Sequence, residues 1–230
     1  MIAERADFAS GPLDSQNGPM RVDHLTFAAG PAGLKAEAER LGDLLGVRFR
    51  DGGFHPRFGT RSHILPLADD RYLEVVEVLE HPAAEKAPFG QAVRARSEMG
   101  GGWLGWVISV DDLSPYEQRL DRQAVRGSRH FPDGRLLEWE QIGIKGLIAD
   151  PQLPYFIKWT SEPELLPSAL HGEIKLDRIE IAGTRSRVED WLGTEIGEVV
   201  DGVRIKFSSE YGQPGILSAT FQTPNGKVKI

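Results

Sequence analysis

The side chains of this chain that could do chemistry are histidines and carboxylates, because cysteine is absent. Without cysteine there is no disulfide, no thiolate metal site and no thiol nucleophile. No Gly-x-Ser-x-Gly run marks a serine hydrolase, and no glycine run has the strand-to-helix context that phosphate binding requires. What remains is general acid–base chemistry, or the binding of a divalent metal by imidazole and carboxylate groups.

Placing the histidines on predicted strands and loops reduces the number of candidate site residues. His81, His130 and His171 lie beside predicted loops, and we assign them no role. His24 and His63 lie on segments in which apolar and polar residues alternate, which is typical of strands. The question is therefore which elements carry the remaining histidines and their acidic neighbours.

A faint internal repeat organises those elements. Residues 22–28 (VDHLTFA) have an echo at 176–182 (LDRIEIA), with the same aliphatic-Asp-basic-aliphatic order. A third strand, 103–110 (WLGWVISV), leads into two aspartates in the same manner. Repeats of this kind indicate a fold built from copies of one unit.

A helix is predicted after each of these strands. Residues 33–45 place leucine and alanine at positions three and four apart, which forms one apolar stripe. Ser114-Pro115-Tyr116-Glu117 and Ser186-Arg187-Val188-Glu189 each resemble a capping box, with serine predicted as the N-cap.

Short strands are predicted after each helix. They are 47–50, 62–67 and 71–79 in the first unit, 124–128, 136–142 and 155–160 in the second, and 203–208 and 216–223 in the third. A strand, a helix and three strands, repeated, predict an α+β fold with mixed, curled sheets. The fold class is thus tandem βαβββ modules plus a third, shorter βαβββ-like unit at the C-terminal end.

Composition suggests how the modules are divided. Residues 1–20 are polar and rich in glycine and proline, without the apolar stretch of a signal peptide, so we expect a flexible arm. We predict a first module over 21–100, a second over 101–161, a linker over 162–172 and a third, partial module over 173–230.

Charge and hydropathy exclude two classes of partner. The net charge of -7 argues against nucleic-acid binding, and we interpret the basic stretch 119–129 as a solvated face. No apolar run is long enough to span a bilayer. We expect a cytoplasmic protein. Two units in one chain can close a cavity without a partner, although a homodimer is compatible with the sequence.

Two motifs carry a resemblance to a known family. Residues 52–63 (GGFHPRFGTRSH) are similar to a Gly-Gly-x-His…Gly-Thr-x-Asn pattern, with Ser62 where asparagine is expected. Residues 71–74 (RYLE) are similar to the strand that follows it. Together with the βαβββ repeat, these runs resemble the glyoxalase-like proteins, common in bacteria, of the vicinal-oxygen-chelate superfamily, over about residues 21–160.

That resemblance implies where a metal would bind. In this superfamily the ligands come from the first and last strands of each unit, which here fall on His24 and Glu74. In the second unit the same positions fall on Gly105 and Ile157, which cannot bind a metal. A divalent metal (Zn, Fe, Mn or Ni) therefore needs a further ligand such as His63 or His55, and Glu74 can alternatively act as general base. His24 and Glu74 can also be read as a buried hydrogen-bonded pair.

The resemblance also implies a cavity for a small organic ligand. The second unit offers an aromatic wall, and the first offers polar groups. The predicted substrate-binding residues are His55, Arg57, Thr60, Arg61, His63, Trp103, Trp139 and Gln141.

Three functions stay open. The first is a metal-assisted lyase, isomerase or dioxygenase acting on a small oxygenated substrate. The second is a metal-free protein that binds or sequesters a small molecule, as bleomycin-resistance relatives do. The third is an interaction module that uses the third unit as a docking surface.

Overall fold

The chain forms a closed β-barrel backed by a second β-sheet. A computed structural model describes residues 20–208 and 212–230, so the predicted arm falls almost entirely outside the described residues. The barrel strands are β1 Arg21–Ala28, β2 Arg50–His55, β3 Thr60–Pro66, β4 Tyr72–Val78, β5 Gly102–Ser109, β6 Val125–His130, β7 Leu136–Ile142 and β8 Tyr155–Trp159. Their order around the barrel is β1-β4-β3-β2-β6-β7-β8-β5.

Short helices join the strands. They are α1 Gly33–Leu45, α2 Pro82–Lys86, α3 Pro88–Glu98, α4 Ser114–Leu120, α5 Gly146–Ala149 and α6 Arg185–Leu192. Two 3-10 turns, Pro163–Leu165 and Pro167–Leu170, lie in the predicted linker. No helix of the described residues is long and apolar enough to cross a membrane.

The second sheet is built from the C-terminal strands. These are β9 Lys175–Ala182, β10 Val199–Val200, β11 Val203–Ser208, β12 Gly215–Thr223 and β13 Gly226–Lys229, in the order β10-β11-β9-β12-β13. The α+β class with curled mixed sheets is confirmed, whereas the module boundaries at 21, 101 and 173 stay predictions.

The two halves of the barrel are related in topology. β1 pairs in parallel with β4, β5 pairs in parallel with β8, and β1 and β5 pair antiparallel along most of their length. On the other side, β2 and β6 meet through one residue pair, Phe54 and His130. The barrel therefore has one long seam and one short seam.

The main hydrophobic core lies between the barrel wall and the second sheet. Trp106 and Ile108 of β5 face outward and are fully buried against Ile179, Ile181 and Phe221. Such close-packed apolar surface is the dominant stabilising contribution in a domain of this size. The second sheet therefore serves as a scaffold that holds the barrel wall from outside.

One buried arginine links the two layers. Arg71, just before β4, donates from Nε to the Val22 carbonyl at 3.1 Å and from Nη2 to the Asp201 carboxylate at 2.7 Å. Asp201 lies in the turn between β10 and β11. Because Arg71 is 2% exposed, its charge depends on these partners instead of water.

The structure differs from the sequence predictions at four local points. β2 begins at Arg50 instead of Val47, and residues 82–98, which carried no predicted helix, form α2 and α3. The N-cap of α6 is Thr184, whose side chain accepts from the Arg187 amide, and the residue before α4 is Leu113. The serines of both predicted capping boxes lie inside their helices, because threonine and aspartate just upstream provide the side-chain acceptors.

We expect Arg71→Met to lower the free energy of unfolding by about 2 kcal/mol, because it leaves the Asp201 carboxylate without its cationic donor. Urea unfolding monitored by circular dichroism measures this. The exposed Arg135, which forms a surface ion pair with Asp133 and lies over the Phe131 ring, is the matched control, and Arg135→Met should change stability by less than about 0.5 kcal/mol. Equal effects of the two substitutions would contradict the linking role of Arg71.

Candidate functional site

The candidate site is a cavity inside the barrel. The twelve side chains that line it are His24, His55, Phe58, Tyr72, Glu74, Phe89, Arg129, Trp139, Gln141, Tyr155, Ile157 and Trp159. The centre of a water molecule can reach about 20 Å³ of it, which is room for about one ordered water. Only a few atoms of a ligand fit without side-chain movement.

The centre of the site is a buried guanidinium group. The Arg129 side chain on β6 is 3% exposed, its Nη2 contacts the Glu74 carboxylate of β4, and its Nε donates to His55 Nε2 of β2 at 2.9 Å. Nη1 is buried and has no hydrogen-bond partner among the described residues. An unpaired donor on a buried charge is costly, so a ligand oxygen is the expected partner of this atom.

His55 is held as a neutral acceptor. Its Nε2 accepts from Arg129, so its proton lies on Nδ1, which is 2.9 Å from Thr60 Oγ1. Burial, assisted by the Arg129 charge and opposed by Glu74, lowers the pKa of His55 to about 3. His55 therefore positions Arg129 and does not carry charge near neutral pH.

Glu74 is the counter-ion of the site. Burial acts to raise its pKa, but Arg129 first, and then His55 and His24, favour the ionised form, so the pKa of Glu74 is lowered overall. Its carboxylate thus neutralises the guanidinium and is not a free base.

A second acid–base pair faces the same cavity. His24 Nδ1 lies 2.7 Å from Asp23 Oδ1, and Trp159 Nε1 donates to Asp23 Oδ2 at 2.9 Å. The His24 ring stacks on Tyr72, with 4.2 Å between ring centres, and its Nε2 is 3.3 Å from the Tyr155 hydroxyl. In the tautomer whose Nδ1 donates to the Asp23 carboxylate, Nε2 carries the lone pair of the ring and lies within hydrogen-bond distance of the Tyr155 hydroxyl, which is the arrangement of an oriented general base.

A β-bulge explains how adjacent residues reach one another here. Val22 pairs with Ile108 and His24 with Val107, so Asp23 is the extra residue of β1. In a regular strand neighbouring side chains point to opposite faces, but a bulge re-aims one of them. Asp23 is consequently buried, with its carboxylate against the His24 ring.

The rest of the cavity is aromatic. Trp139 lies across Gly127 of β6, where a Cβ atom would come within 2.3 Å of the indole, so glycine is needed to seat the ring. Trp139 Nε1 donates to Gln141 Oε1 at 2.7 Å. Phe58 and Phe89 complete this wall, with 5.7 Å between their ring centres.

The structure brings together six of the predicted site residues. His24, His55, Glu74, Trp139 and Gln141 all line the cavity. Thr60 stands behind His55 as its hydrogen-bond partner. Their assignment to substrate, metal or catalysis stays a prediction.

Four other predicted residues lie away from the cavity. The exposed Arg57 donates to the Arg126 carbonyl, and Arg61 pairs with Glu77 on the barrel exterior. His63 lines a surface groove beside α1 instead of the interior. Trp103 donates to the Ile230 carbonyl at 3.3 Å and packs outside the barrel. The set His24, His63 and Glu74 therefore does not converge.

The strand register also corrects one inferred ligand position. Val107 pairs with Tyr155 as His24 pairs with Tyr72, so Val107, not Gly105, is the second-unit counterpart of His24. A Cβ atom at Gly105 would lie 2.4 Å from the Leu147 side chain, so that glycine admits α5. Ile157 remains the counterpart of Glu74.

The residues present do not fit a divalent metal. Among the described residues no three His, Asp or Glu side chains form a group that could hold an ion. A cation beside Glu74 would lie against the Arg129 guanidinium, which already contacts that carboxylate and repels positive charge. We therefore assign the cationic role in this cavity to Arg129.

Several polar side chains of the site are not among the residues predicted from the sequence. The sequence predicts a solvated basic face over 119–129, whereas Arg129 is buried at the centre of the site. Arg129 and Gly127, two residues apart on β6, share one strand face, and that spacing is the available signal. Tyr155 and Ile157 also lie two residues apart on one strand face, so the same spacing indicates Tyr155. No sequence pattern indicates the bulge at Asp23.

Comparison with known proteins gives the family and the fold. The model of the glyoxalase-like domain family matches residues 22–196. A solved structure of a hypothetical protein from Staphylococcus aureus is 15% identical, with a TM-score of 0.57, covering 82% of this chain and 86% of that chain. No curated protein matches significantly.

Several methylmalonyl-CoA epimerases are structurally similar over a smaller part of the chain. One from Streptomyces coelicolor, solved with 2-nitronate-propionyl-CoA, is 16% identical, with a TM-score of 0.42, covering 63% of this chain and 99% of that chain. One from Mycobacterium tuberculosis is 17% identical, with a TM-score of 0.40, covering 63% and 89%.

We expect the state of His55 to make stability depend on pH. In the unfolded chain the His55 side chain binds a proton near pH 6.5, whereas in the folded protein it does so only near pH 3. The free energy of unfolding should therefore fall as the pH drops below 6.5, with this group contributing a slope that approaches about 1.4 kcal/mol per pH unit. The free energy of unfolding, measured by urea titration between pH 6.5 and 5, should depend less steeply on pH in His55→Gln, with a difference in slope that approaches one proton. Glu74 contributes little to the slope in this range. Identical slopes would contradict the neutral state.

We also expect purified protein, grown with added Zn, Fe, Mn and Ni, to hold no stoichiometric metal by inductively coupled plasma mass spectrometry. Arg129→Ala should raise the metal content, because it removes the cation that contacts Glu74. Stoichiometric metal in the unmodified protein that is lost in both His24→Ala and Glu74→Ala would show that a metal displaces Arg129.

Proposed function

Because the chain belongs to the glyoxalase-like domain family of the vicinal-oxygen-chelate superfamily, we propose that it catalyses metal-independent proton transfer on a small molecule that carries a carbonyl or carboxylate oxygen. One observation carries this proposal. His24, which is oriented by Asp23, lines the same small cavity as Arg129, whose Nη1 group has no hydrogen-bond partner among the described residues.

The two groups have complementary chemical roles. In enolisation a base removes a proton from the carbon next to a carbonyl, and negative charge develops on the carbonyl oxygen. His24 Nε2 has the lone pair that accepts the proton, and Asp23 stabilises the imidazolium that forms. Arg129 Nη1 is a fixed donor for the developing oxyanion, and the low-dielectric cavity strengthens that interaction.

The proton balance requires no co-reactant. The C–H bond breaks, its electron pair forms the enolate carbon–carbon double bond, and the carbonyl π electrons move to oxygen beside Arg129. The proton on His24 then returns to a neighbouring atom or, after exchange with solvent, to the same carbon from the same side. The net result is isomerisation or solvent exchange at that carbon, with no oxidation and no metal in any step.

The surrounding residues support this proposal by fixing geometry. Glu74, His55 and Thr60 hold the guanidinium, and Tyr72 stacks on the His24 ring. Burial raises the pKa of Tyr155 well above 10, so its hydroxyl stays protonated near the His24 Nε2 atom. Tyr155 can therefore donate to a substrate oxygen or relay a proton.

The proposal is tested by exchange of solvent deuterium into carbon-bound positions of small 2-oxo carboxylates, followed by proton NMR. We expect exchange with the unmodified protein and a loss of about 100-fold or more in His24→Gln and in Arg129→Gln. His63→Gln, a histidine on the outer surface of the same barrel, is the matched control and should exchange normally. Equal rates in His24→Gln and the unmodified protein would overturn the assigned base.

Binding without turnover is the second candidate, and the aromatic wall of Phe58, Phe89 and Trp139 favours it. A carboxylate ligand would then pair with Arg129 while an apolar group stacks on the rings. Thermal stabilisation by 2-oxo carboxylates that needs Arg129, with no deuterium exchange, would select this function over catalysis.

A further inference from the structure

An apolar groove at the surface of the barrel shares part of its wall with the inner cavity. We propose that this groove binds the apolar body of the same molecule whose oxygen is held by Arg129, so that the ligand is an elongated oxo acid or carboxylate with an aliphatic or aromatic tail. The inference rests on the proposed function and adds the substrate class to it.

The volumes of the inner cavity and the groove support a ligand whose small head group occupies the cavity and whose tail occupies the groove. The inner cavity has about 20 Å³ of free space, which admits a head group of a few atoms. The groove has about 320 Å³ on the same measure, which is within the usual range of small-molecule sites. A ligand that fills only the inner cavity would leave most of the available binding surface unused.

The two spaces share part of their walls. Phe58, Phe89 and Gln141 line both the inner cavity and the groove. Phe89 lies in the first turn of α3, two residues after Ala87, whose extended backbone separates α3 from α2. The rings of Phe58 and Phe89 therefore stand between the two spaces, and their rotation would break no hydrogen bond because these side chains have none to give.

The chemistry of the groove matches an apolar body. Pro88, Val125, Ile142 and Ile144 contribute hydrocarbon surface, and Val125 is 56% exposed although it lies on a barrel strand. A tail that covers this surface gains the free energy of hydrophobic burial. The recessed shape, with Ile142 and Ile144 buried, suits a slender molecule better than a flat protein surface.

The rim of the groove carries positive charge in an acidic protein. Arg122 and Lys145 are exposed, line the groove and make no ion pair with any described residue, while the whole chain has a net charge of -7. Local charge of this sign attracts anions to the entrance and repels cations. It therefore favours a ligand with an acidic head that passes the rim on its way to Arg129.

The test uses straight-chain 2-oxo carboxylates from three to ten carbons, with affinity measured by isothermal titration calorimetry. We expect affinity to rise about fourfold for each added methylene until the groove is filled. Val125→Asp places a charge in the groove and should abolish the gain with chain length, so that long members lose far more affinity than pyruvate does. Leu136→Asp, at an exposed barrel residue outside the groove, is the matched control and should keep the gain.

The outcomes separate this inference from the proposed function. Affinity that does not rise with chain length, or that falls equally for short and long members in Val125→Asp, would overturn the groove while leaving the Arg129 site intact. Absence of binding for every member, with no difference between the unmodified protein and Arg129→Gln, would overturn the proposed function and the groove together. Circular dichroism and thermal unfolding confirm that each variant is folded.

Discussion

The buried charge of Arg129 is the constraint on which the site depends. A guanidinium removed from water must be paired and hydrogen-bonded, and here its partners come from two other strands: Glu74 from β4 and His55 from β2. β2 and β6 share one residue pair, so these side-chain contacts also hold together the short seam of the barrel. Removing one partner of such a pair typically costs about 3–5 kcal/mol, so site and fold are stabilised together.

The buried charge of Arg129 also determines which chemistry the cavity can support. A fixed cation lies in the cavity where the superfamily pattern implies a metal, and its Nη1 donor has no hydrogen-bond partner among the described residues. His24, oriented by Asp23 and Trp159, adds a base to the same space. A preorganised donor and an oriented base in a low-dielectric cavity are the components that proton transfer beside a carbonyl requires.

Much of the architecture could be predicted because it follows from local periodicity. The strands β1, β4, β7 and β8 and the helix α1 lie close to their predicted positions, since strand alternation and an apolar helical stripe are local signals. α2 and α3 were missed because their few apolar residues form no long stripe; burial of Phe89 and Val93 against the barrel stabilises α3 instead. β2 was misplaced because its two glycines hide the alternation.

Strand alternation in the sequence is enough to assign side chains to a shared face: Tyr72 with Glu74, Trp139 with Gln141, and Arg61 with His63. Which of those faces lies inside the barrel follows from the packing of the whole chain. Alternation is symmetric between the two sides of a strand, and closure of the barrel against the second sheet breaks that symmetry. It placed His63 outside and Arg129 inside, and the bulge at Asp23 arose from non-local pairing of β1 with β5, which no single segment encodes.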